Sequence, residues 1–299
     1  KGNQIFKNEQ FCLLFNGEIL NFKNLKEKYF QTIKFNSNTD TEVLFNFLIK
    51  YKETRLDELE GMFAFVLIDL KNNEVILCKD YTGIKPLYYF VNDDGIFFSS
   101  DAKFLYSISN KDLNHEACKF FFQFGFTPKE DTLIKNVKKL PPSSYMKIDF
   151  NKNHKKINKY FEIENQNKIS EYDENDLKDT IQDAIKKNLI SDTKTGIFLS
   201  GGLDSSIISV ISKKINPEIT AYTSFFSPEN KYEKFNKDFF FAEKLCKDFN
   251  IKKNKVIIEE NNEYQKKLIL RSFQSLDEPI ANLNFFNSFL QSKQAKDEN

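Results

Sequence analysis

Residues Thr195–Lys214 read TGIFLSGGLDSSIISVISKK. Ile197-Phe198-Leu199 is an apolar run of buried-strand character. Ser200-Gly201-Gly202 is a turn. Asp204-Ser205-Ser206 open a segment that sets Ile207, Ile208 and Ile211 on one helical face. Two adjacent glycines let a backbone approach a ligand closely, and the following helix N-terminus offers unpaired N–H groups at the positive end of its dipole. The stretch predicts an anion site for phosphate or pyrophosphate; the competing expectation is an ordinary strand-to-helix turn with Asp or Ser as N-cap. No Gly-Lys-Ser/Thr follows, so this is not a Walker A loop. Ser200 lacks a glycine two residues before it, so it is not a nucleophile elbow.

Outward from this loop, helices and strands alternate. Leu177, Ile181, Ala184, Ile185 and Leu189 recur at helical spacing and lead through Ser191-Asp192 into the motif. Ile219–Phe226 predicts a second parallel strand, Asp238–Phe249 a helix and Val256–Ile258 a third strand. Leu268–Leu276 reads as helical before Asp277-Glu278-Pro279, and Asn282–Lys296 as a further helix. The alternation predicts a doubly wound parallel sheet with ligand at the strand C-terminal ends.

The 299 residues suffice for two domains, and 33 Phe can fill their cores. A net charge of +1 gives no global field toward nucleic acid or membrane. Cys12, Cys78, Cys118 and Cys246 form no CxxC pattern and read as buried reduced thiols. With only His115 and His154, a His-rich metal site or Ser-His-Asp triad is not expected. No apolar run is long enough for a bilayer and no signal peptide is visible, which predicts a cytoplasmic protein. Lys1 in place of Met and the polar run Gln291–Asn299 read as the ends of a piece cut from something longer.

In the first part of the chain, Phe11–Phe15 predicts a strand and Asn16-Gly17 a turn. Asn21–Tyr29 is a short amphipathic helix, and Val43–Tyr51 a helix with Thr39 or Asp40 as N-cap. The run Met62–Ile68 is too continuous for a solvent-facing strand, and Glu74–Cys78 answers it across Asn72-Asn73. A further strand pair ends at Phe98, and a helix begins at Asp101. Asn114–Phe124 is aromatic at helical spacing, a packing helix ended by Thr127-Pro128.

NGE at 16–18, NTDTEV at 38–43, LEGMFAFVLID at 59–69 and KDYTGIKPLYY at 79–89 fall in the order seen in class II glutamine amidotransferase domains, which the first 105 residues resemble. The resemblance implies an N-terminal-nucleophile hydrolase, a four-layer αββα sandwich. It also implies an oxyanion hole from the Asn16 side chain and the Gly17 N–H, with Asn16, Glu18 and Asp40 binding glutamine and Asp40 taking its α-ammonium. The family's nucleophile is a cysteine at residue one; this chain has none, and Cys12, inside a strand, is no substitute. The family's carboxylate-binding arginine, upstream of NGE, has no counterpart, since Arg55 and Arg271 lie elsewhere. Lys79 stands where the family usually has arginine, keeping the charge without the fork geometry.

KKLPPSSYM resembles the segment joining the two domains of glutamine-dependent asparagine synthetases, with Ser143-Ser144 in place of a frequent Gly-His. SGGLDSS resembles the pyrophosphate loop of N-type ATP pyrophosphatases, an adenine nucleotide alpha hydrolase-like fold. Residue by residue, this implies that Ser200, Gly201, Gly202, Ser205 and Ser206 cradle the pyrophosphate of ATP and that Asp204 helps hold Mg²⁺. Leu199 and Ser224 would lie by the adenosine, and Asp277 and Glu278 on the acceptor side. The expected domains are 1–145 and 174–299, joined by a linker at 146–173. The whole chain resembles a glutamine-hydrolysing asparagine synthetase, with ATP, Mg²⁺, glutamine and aspartate as implied ligands and no nucleic-acid or membrane partner; a homodimer stays open. An acidic loop expected downstream is not in the sequence, so little overall synthesis is expected from these residues alone. Synthetase-like enzymes acting on a sugar acid or peptide, β-lactam synthetases with a dead glutaminase domain, and non-catalytic binders are the alternatives.

Overall fold

A computed structural model of the chain describes residues 5–162, 173–191, 193–259, 262–282 and 284–298. It divides into two units, Lys1–Asn167 and Lys168–Asn299. The first contains β1 (Ile5–Lys7), β2 (Phe11–Ile19), α1 (Phe22–Tyr29), α2 (Asp40–Tyr51), β3 (Gly61–Asp69) and β4 (Glu74–Lys79). These are followed by β5 (Tyr88–Asn92), β6 (Gly95–Ser99), α3 (Ala102–Ile108), α4 (His115–Phe124), β7 (Lys138–Lys139), β8 (Ser144–Asp149) and β9 (His154–Lys159).

Two antiparallel sheets form, ordered β1-β2-β3-β4-β8-β9 and β6-β5-β7. The continuous apolar run of β3 explains how they stack, because successive side chains point to opposite faces. Phe63, Phe65 and Leu67 pack with Leu25 of α1 and with Val43, Leu44 and Phe47 of α2. Ala64 and Val66 face the other way, into a core shared with Leu87 and Tyr89. In β5 the alternation repeats: Tyr89 joins that inter-sheet core, while Tyr88 and Phe90 pack with Ala102 and Leu105 of α3. Three cores between four layers make the expected αββα sandwich.

The second unit contains α5 (Glu174–Asn188), β10 (Gly196–Phe198), α6 (Leu203–Ile215), β11 (Thr220–Ser227), α7 (Glu229–Asp248), β12 (Lys252–Glu259), α8 (Glu263–Ser275) and α9 (Asn284–Asp297). Its strands are parallel in the order β10-β11-β12. Ala221 faces Ala242 and Cys246 of α7. Its neighbour Tyr222 faces Leu268 of α8 and Phe286 and Leu290 of α9. Helices therefore cover both faces, as the strand–helix alternation predicts.

Several expectations are corrected. Asn16-Gly17 is no turn: both residues lie inside β2, opposite Ala64 and Phe63. Residues 146–159 are sheet rather than linker, because β8 pairs with β4 and β9 with β8. α4 ends at Gly125, not at Thr127-Pro128: Gly125 is left-handed at φ 81° and its N–H closes on the Phe121 carbonyl at 2.7 Å. Its rings cluster with each other, Phe120 against Phe124 and Phe126, and Phe122 stays 86% exposed, so α4 packs less than its spacing predicts. Residues 163–172 of the expected linker, Asp192 and Leu283 lie outside the described residues.

Candidate functional site

The register of β2 on β3 decides which backbone groups the amidotransferase motif presents. Asp80 donates its N–H to the Phe63 carbonyl at 2.9 Å, and the Phe63 N–H donates to Asp80 Oδ2 at 3.1 Å. Phe63 thus spends its backbone toward β4. Its partner Gly17 is in the non-hydrogen-bonded position of the β2–β3 ladder, with its N–H directed off the opposite edge of β2. The described residues of β1 reach only Cys12–Leu14 of that edge. Asn16, one residue away, lies opposite Ala64 and uses its backbone in the ladder.

Ile19 has the same parity as Gly17. Its N–H leaves the same edge and is taken by Asp40 Oδ2 at 3.0 Å. The Asp40 carboxylate therefore lies on the Gly17 edge, two strand residues along, roughly 7 Å of strand. Asp40 opens α2 behind an N-cap from Thr39, whose Oγ1 accepts the Glu42 N–H. Glu18 is exposed, and Asn16, Gly17 and Asp40 are half-buried.

Supporting contacts surround this edge. The fully buried Asp80 carboxylate accepts the N–H groups of Phe63, Thr82, Gly83, Ile84 and Lys85 together with the Thr82 hydroxyl. That nest folds the KDYTGIKP loop around one charge. Lys79 is buried too, its stem against Gly83, where an added Cβ would lie 3.0 Å from Lys79 Cε. Asn21 bridges the approach to β3, donating to the Glu58 carbonyl and accepting from the Glu60 N–H. Burial would raise the Glu58 carboxyl, but hydrogen bonds from Tyr29, Lys28 and Arg55 outweigh it and hold it down at about 2. Burial and the nearby Asp57 and Glu60 push the Tyr81 phenol up to about 12.

In the second unit the SGGLDSS loop follows β10 directly. Gly201 has φ +84°, and a Cβ there would meet the Asp238 carbonyl oxygen at 2.1 Å and Ala242 N at 3.1 Å. The loop thus rests on the backbone of α7. Gly202 is the N-cap of α6 and has no side chain to cap it; its own N–H donates to Ser200 Oγ at 3.3 Å, and Asp204 caps nothing here, which leaves the N–H groups of the first helical turn without a side-chain cap from the N-cap residue. Ser205 Oγ sits 2.9 Å from Ser200 Oγ and donates to the Gly202 carbonyl, bracing the loop internally. Asp204 is exposed in the first helical turn, and Ser206 is half-buried.

Leu199 is buried against Ala221 and Ala242, and its N–H bonds the Tyr222 carbonyl at 2.9 Å, so its side chain belongs to the core. Ser224, on the neighbouring strand just beyond that bond, accepts from Gln291 of α9 at 3.1 Å. Asp277 and Glu278 follow α8, half-buried. A cavity of about 640 Å³ lies elsewhere, lined by Gly196, Thr220 and Lys252 at the N-terminal ends of the strands, opposite the loop. Among the described residues no group of three or more His, Cys, Asp and Glu is placed to hold a metal by itself. None of their helices is long and apolar enough to cross a membrane. The four cysteines are free, Cys78 and Cys246 buried and Cys12 and Cys118 half-buried.

Comparison with known proteins joins the two sites. Residues 1–161 match the glutamine amidotransferase domain family, and residues 176–299 the asparagine synthase family. The chain belongs to the asparagine synthetase family of glutamine amidotransferases. It is 33% identical over 226 residues to asparagine synthetase [glutamine-hydrolyzing] 1 of Bacillus subtilis, a match covering 73% of this chain and 35% of that protein. A putative asparagine synthetase of Methanocaldococcus jannaschii is 30% identical over 276 residues, covering 91% of this chain and 47% of its own. Asparagine synthetase B of Escherichia coli is 30% identical over 216 residues, covering 71% and 34%. The chain thus spans less than half the length of these relatives.

Within this asparagine synthetase-type chain, sequence reasoning missed residues that act through backbone contacts. Gly61, the Ile19 N–H and the Asp238 carbonyl carry no side-chain signal. Gln291 carries one, but only the packing of α9 on β11 brings it to Ser224.

Proposed function

We infer that the protein makes asparagine from aspartate, using ATP and ammonia released from glutamine. The observation that carries the amidotransferase half is the shared edge of β2. The Gly17 N–H and the Asp40 carboxylate face the same way, at a separation that glutamine's extended side chain can bridge. The Gly17 N–H and the Asn16 amide stabilise the oxyanion formed when a nucleophile adds to the glutamine amide carbonyl; the C–N bond then breaks, the nitrogen leaves as ammonia, and water takes the acyl carbon on to glutamate. Asp40, with Glu18, holds the amino-acid end.

In the second unit the start of α6 and the loop Ser200–Gly202 receive the pyrophosphate of ATP, with Ser205 and Ser206 beside it and the Leu199 backbone and Ser224 bordering the adenosine. Asp204, exposed beside those N–H groups, fits Mg²⁺, which takes one or two carboxylates plus phosphate oxygens and supplies charge neutralisation there. An oxygen of the aspartate β-carboxylate attacks the α-phosphorus and pyrophosphate leaves, giving β-aspartyl-AMP. Ammonia then attacks the acyl carbon and AMP leaves with the oxygen, giving asparagine. Asp277 and Glu278 are the residues assigned to the acceptor side. Activation serves because carboxylate is a poor electrophile and AMP a far better leaving group than oxide.

Pyrophosphate release by the full-length protein, assayed with aspartate and with a panel of other carboxylic acids, tests this. Aspartate should stimulate release, and asparagine should accumulate with glutamine or ammonium present. No stimulation by aspartate, or stimulation by another acid instead, overturns the assignment.

A further inference from the structure

Asp40 does not set its own position. The four residues before it, Asn36–Thr39, wrap around one side chain that follows it, Glu42. Glu42 is only 3% exposed. Its carboxylate accepts the Asn36 N–H at 2.9 Å, the Ser37 N–H at 2.6 Å and the Ser37 hydroxyl at 2.6 Å. Ser37 Oγ lies 2.8 Å from Thr39 Oγ1, which in turn accepts the Glu42 N–H. In a common capping box the acidic residue reaches back to the N-cap's own N–H. Here it reaches further, to two peptides upstream, and closes the segment into a ring. Asp40 leaves that ring at the first position of α2. There Oδ2 accepts from Ile19 and Oδ1 from the Thr41 hydroxyl at 3.3 Å.

We propose that Glu42 is a positioning residue for glutamine selection: by fixing the 36–39 turn it aims the Asp40 carboxylate at the substrate's α-ammonium, and so sets the preference for an α-amino acid over its deaminated analogue. The inference rests on the reading of Asp40 as the ammonium partner. Burial alone would raise the Glu42 carboxyl, but the Ser37 hydroxyl and the Asn36 and Ser37 amides outweigh it, so the group stays ionised and keeps all three acceptor bonds. Glutamine in its place has the same shape but only one accepting oxygen, and its NH₂ meets a donor.

The test compares two ligands on the 299-residue chain by calorimetric titration: L-glutamine and glutarate monoamide, the same molecule without the α-amino group. The unchanged chain should bind glutamine more tightly. Asp40→Asn should remove most of that difference, and Glu42→Gln should reduce it about five- to tenfold while leaving the monoamide's affinity unaltered. A general loss of structure would weaken both ligands together, so the ratio separates positioning from folding. Should Glu42→Gln fail to fold, Ser37→Ala removes one bond of the ring and should shift the same ratio two- to threefold.

If Asp40→Asn lowers the ratio while Glu42→Gln and Ser37→Ala leave it unchanged, the role of Glu42 is overturned. If Asp40→Asn itself leaves the ratio unchanged, or the unchanged chain does not distinguish the ligands, the reading of Asp40 falls instead and takes this inference with it.

Discussion

Gly17 in β2 and Gly61 in β3 each press on the other's strand. A Cβ on Gly17 would lie 2.1 Å from the Met62 carbonyl oxygen, and one on Gly61 would lie 2.1 Å from the Glu18 carbonyl oxygen. Their φ values are +144° and +155°, where side chains are rarely tolerated. The two glycines therefore hold the strands at backbone contact just where the Gly17 N–H turns outward. Gly95 provides the comparison, with φ +137° but nothing within 4 Å of an added Cβ. Gly95→Ala should cost only its backbone strain, about 1 kcal/mol. Gly17→Ala and Gly61→Ala should each cost roughly 3 kcal/mol, because the strands must also part. Urea unfolding followed in the first unit measures all three. Equal losses would mean that the contact carries no energy of its own.

Gly201 repeats the arrangement in the second unit, with its Cα against the Asp238 carbonyl of α7. A methyl group there would push the loop off the helix or the helix off β11. Gly202, its neighbour, has only Ser200 Oγ at 3.4 Å in the way. Gly201→Ala should therefore weaken ATP binding at least tenfold, while Gly202→Ala should leave the unit's unfolding midpoint unchanged. Titration calorimetry with MgATP and thermal unfolding of each variant check the pair. Unaltered ATP affinity in Gly201→Ala would show that the loop does not hold the nucleotide.

Side-chain patterning made much of this legible. The unbroken apolar run Met62–Ile68 predicts a strand buried on both faces, and β3 is buried by α1 and α2 on one side and by the second sheet on the other. Ser200–Ser206 announces its turn because glycine and the helix start are both local features. What stayed hidden is set by pairing. Asn-Gly favours a turn by local propensity, yet Gly17 is a strand residue because the close approach of Met62 and Phe63 demands it. The β12 strand begins at Lys252, four residues before the Val256 expected from apolar character, because Lys252–Lys255 pair with Thr220–Thr223 whatever their charge. The Asn36–Glu42 ring is hidden for a related reason, since it is closed by the Asn36, Ser37 and Glu42 peptide N–H groups as well as by the Ser37 and Thr39 hydroxyls.

Acid should unfold the first unit through Asp69. This carboxylate at the end of β3 is 2% exposed and takes hydrogen bonds from Gln10, Asn72 and Lys52, the last at 3.0 Å. Burial raises its carboxyl, but those bonds outweigh it and hold it well below the ordinary carboxylate range. A folded value below the unfolded one, about 3.9, means the stabilisation is complete above that value and is lost as pH falls toward the folded one. The unfolding free energy should therefore drop steeply below about pH 4. Asp69→Asn should be less stable at pH 7 and should show a shallower decline in that window. A parallel decline in both proteins would assign the acid sensitivity to other groups.

Asn236 shows how the second unit ends its central strand. It is fully buried in α7, and its amide oxygen accepts the Phe226 N–H at 2.8 Å while its NH₂ donates to the Phe226 carbonyl at 2.9 Å. Phe226 uses this pair of bonds beyond the point where β10 has stopped at Phe198, so the side chain stands in for the missing strand. Asn236→Asp keeps the shape but sets an oxygen against the Phe226 carbonyl and buries a charge. It should cost about 3 kcal/mol at pH 7, with Phe226 N–H exchange accelerated accordingly. Protonation restores the missing donor, so burial should raise the new carboxyl above its ordinary value and the deficit should shrink as pH falls through that raised value. Hydrogen exchange and urea unfolding at pH 7 and pH 5 read this directly. A deficit that is the same at both values would mean that the lost donor is not its cause.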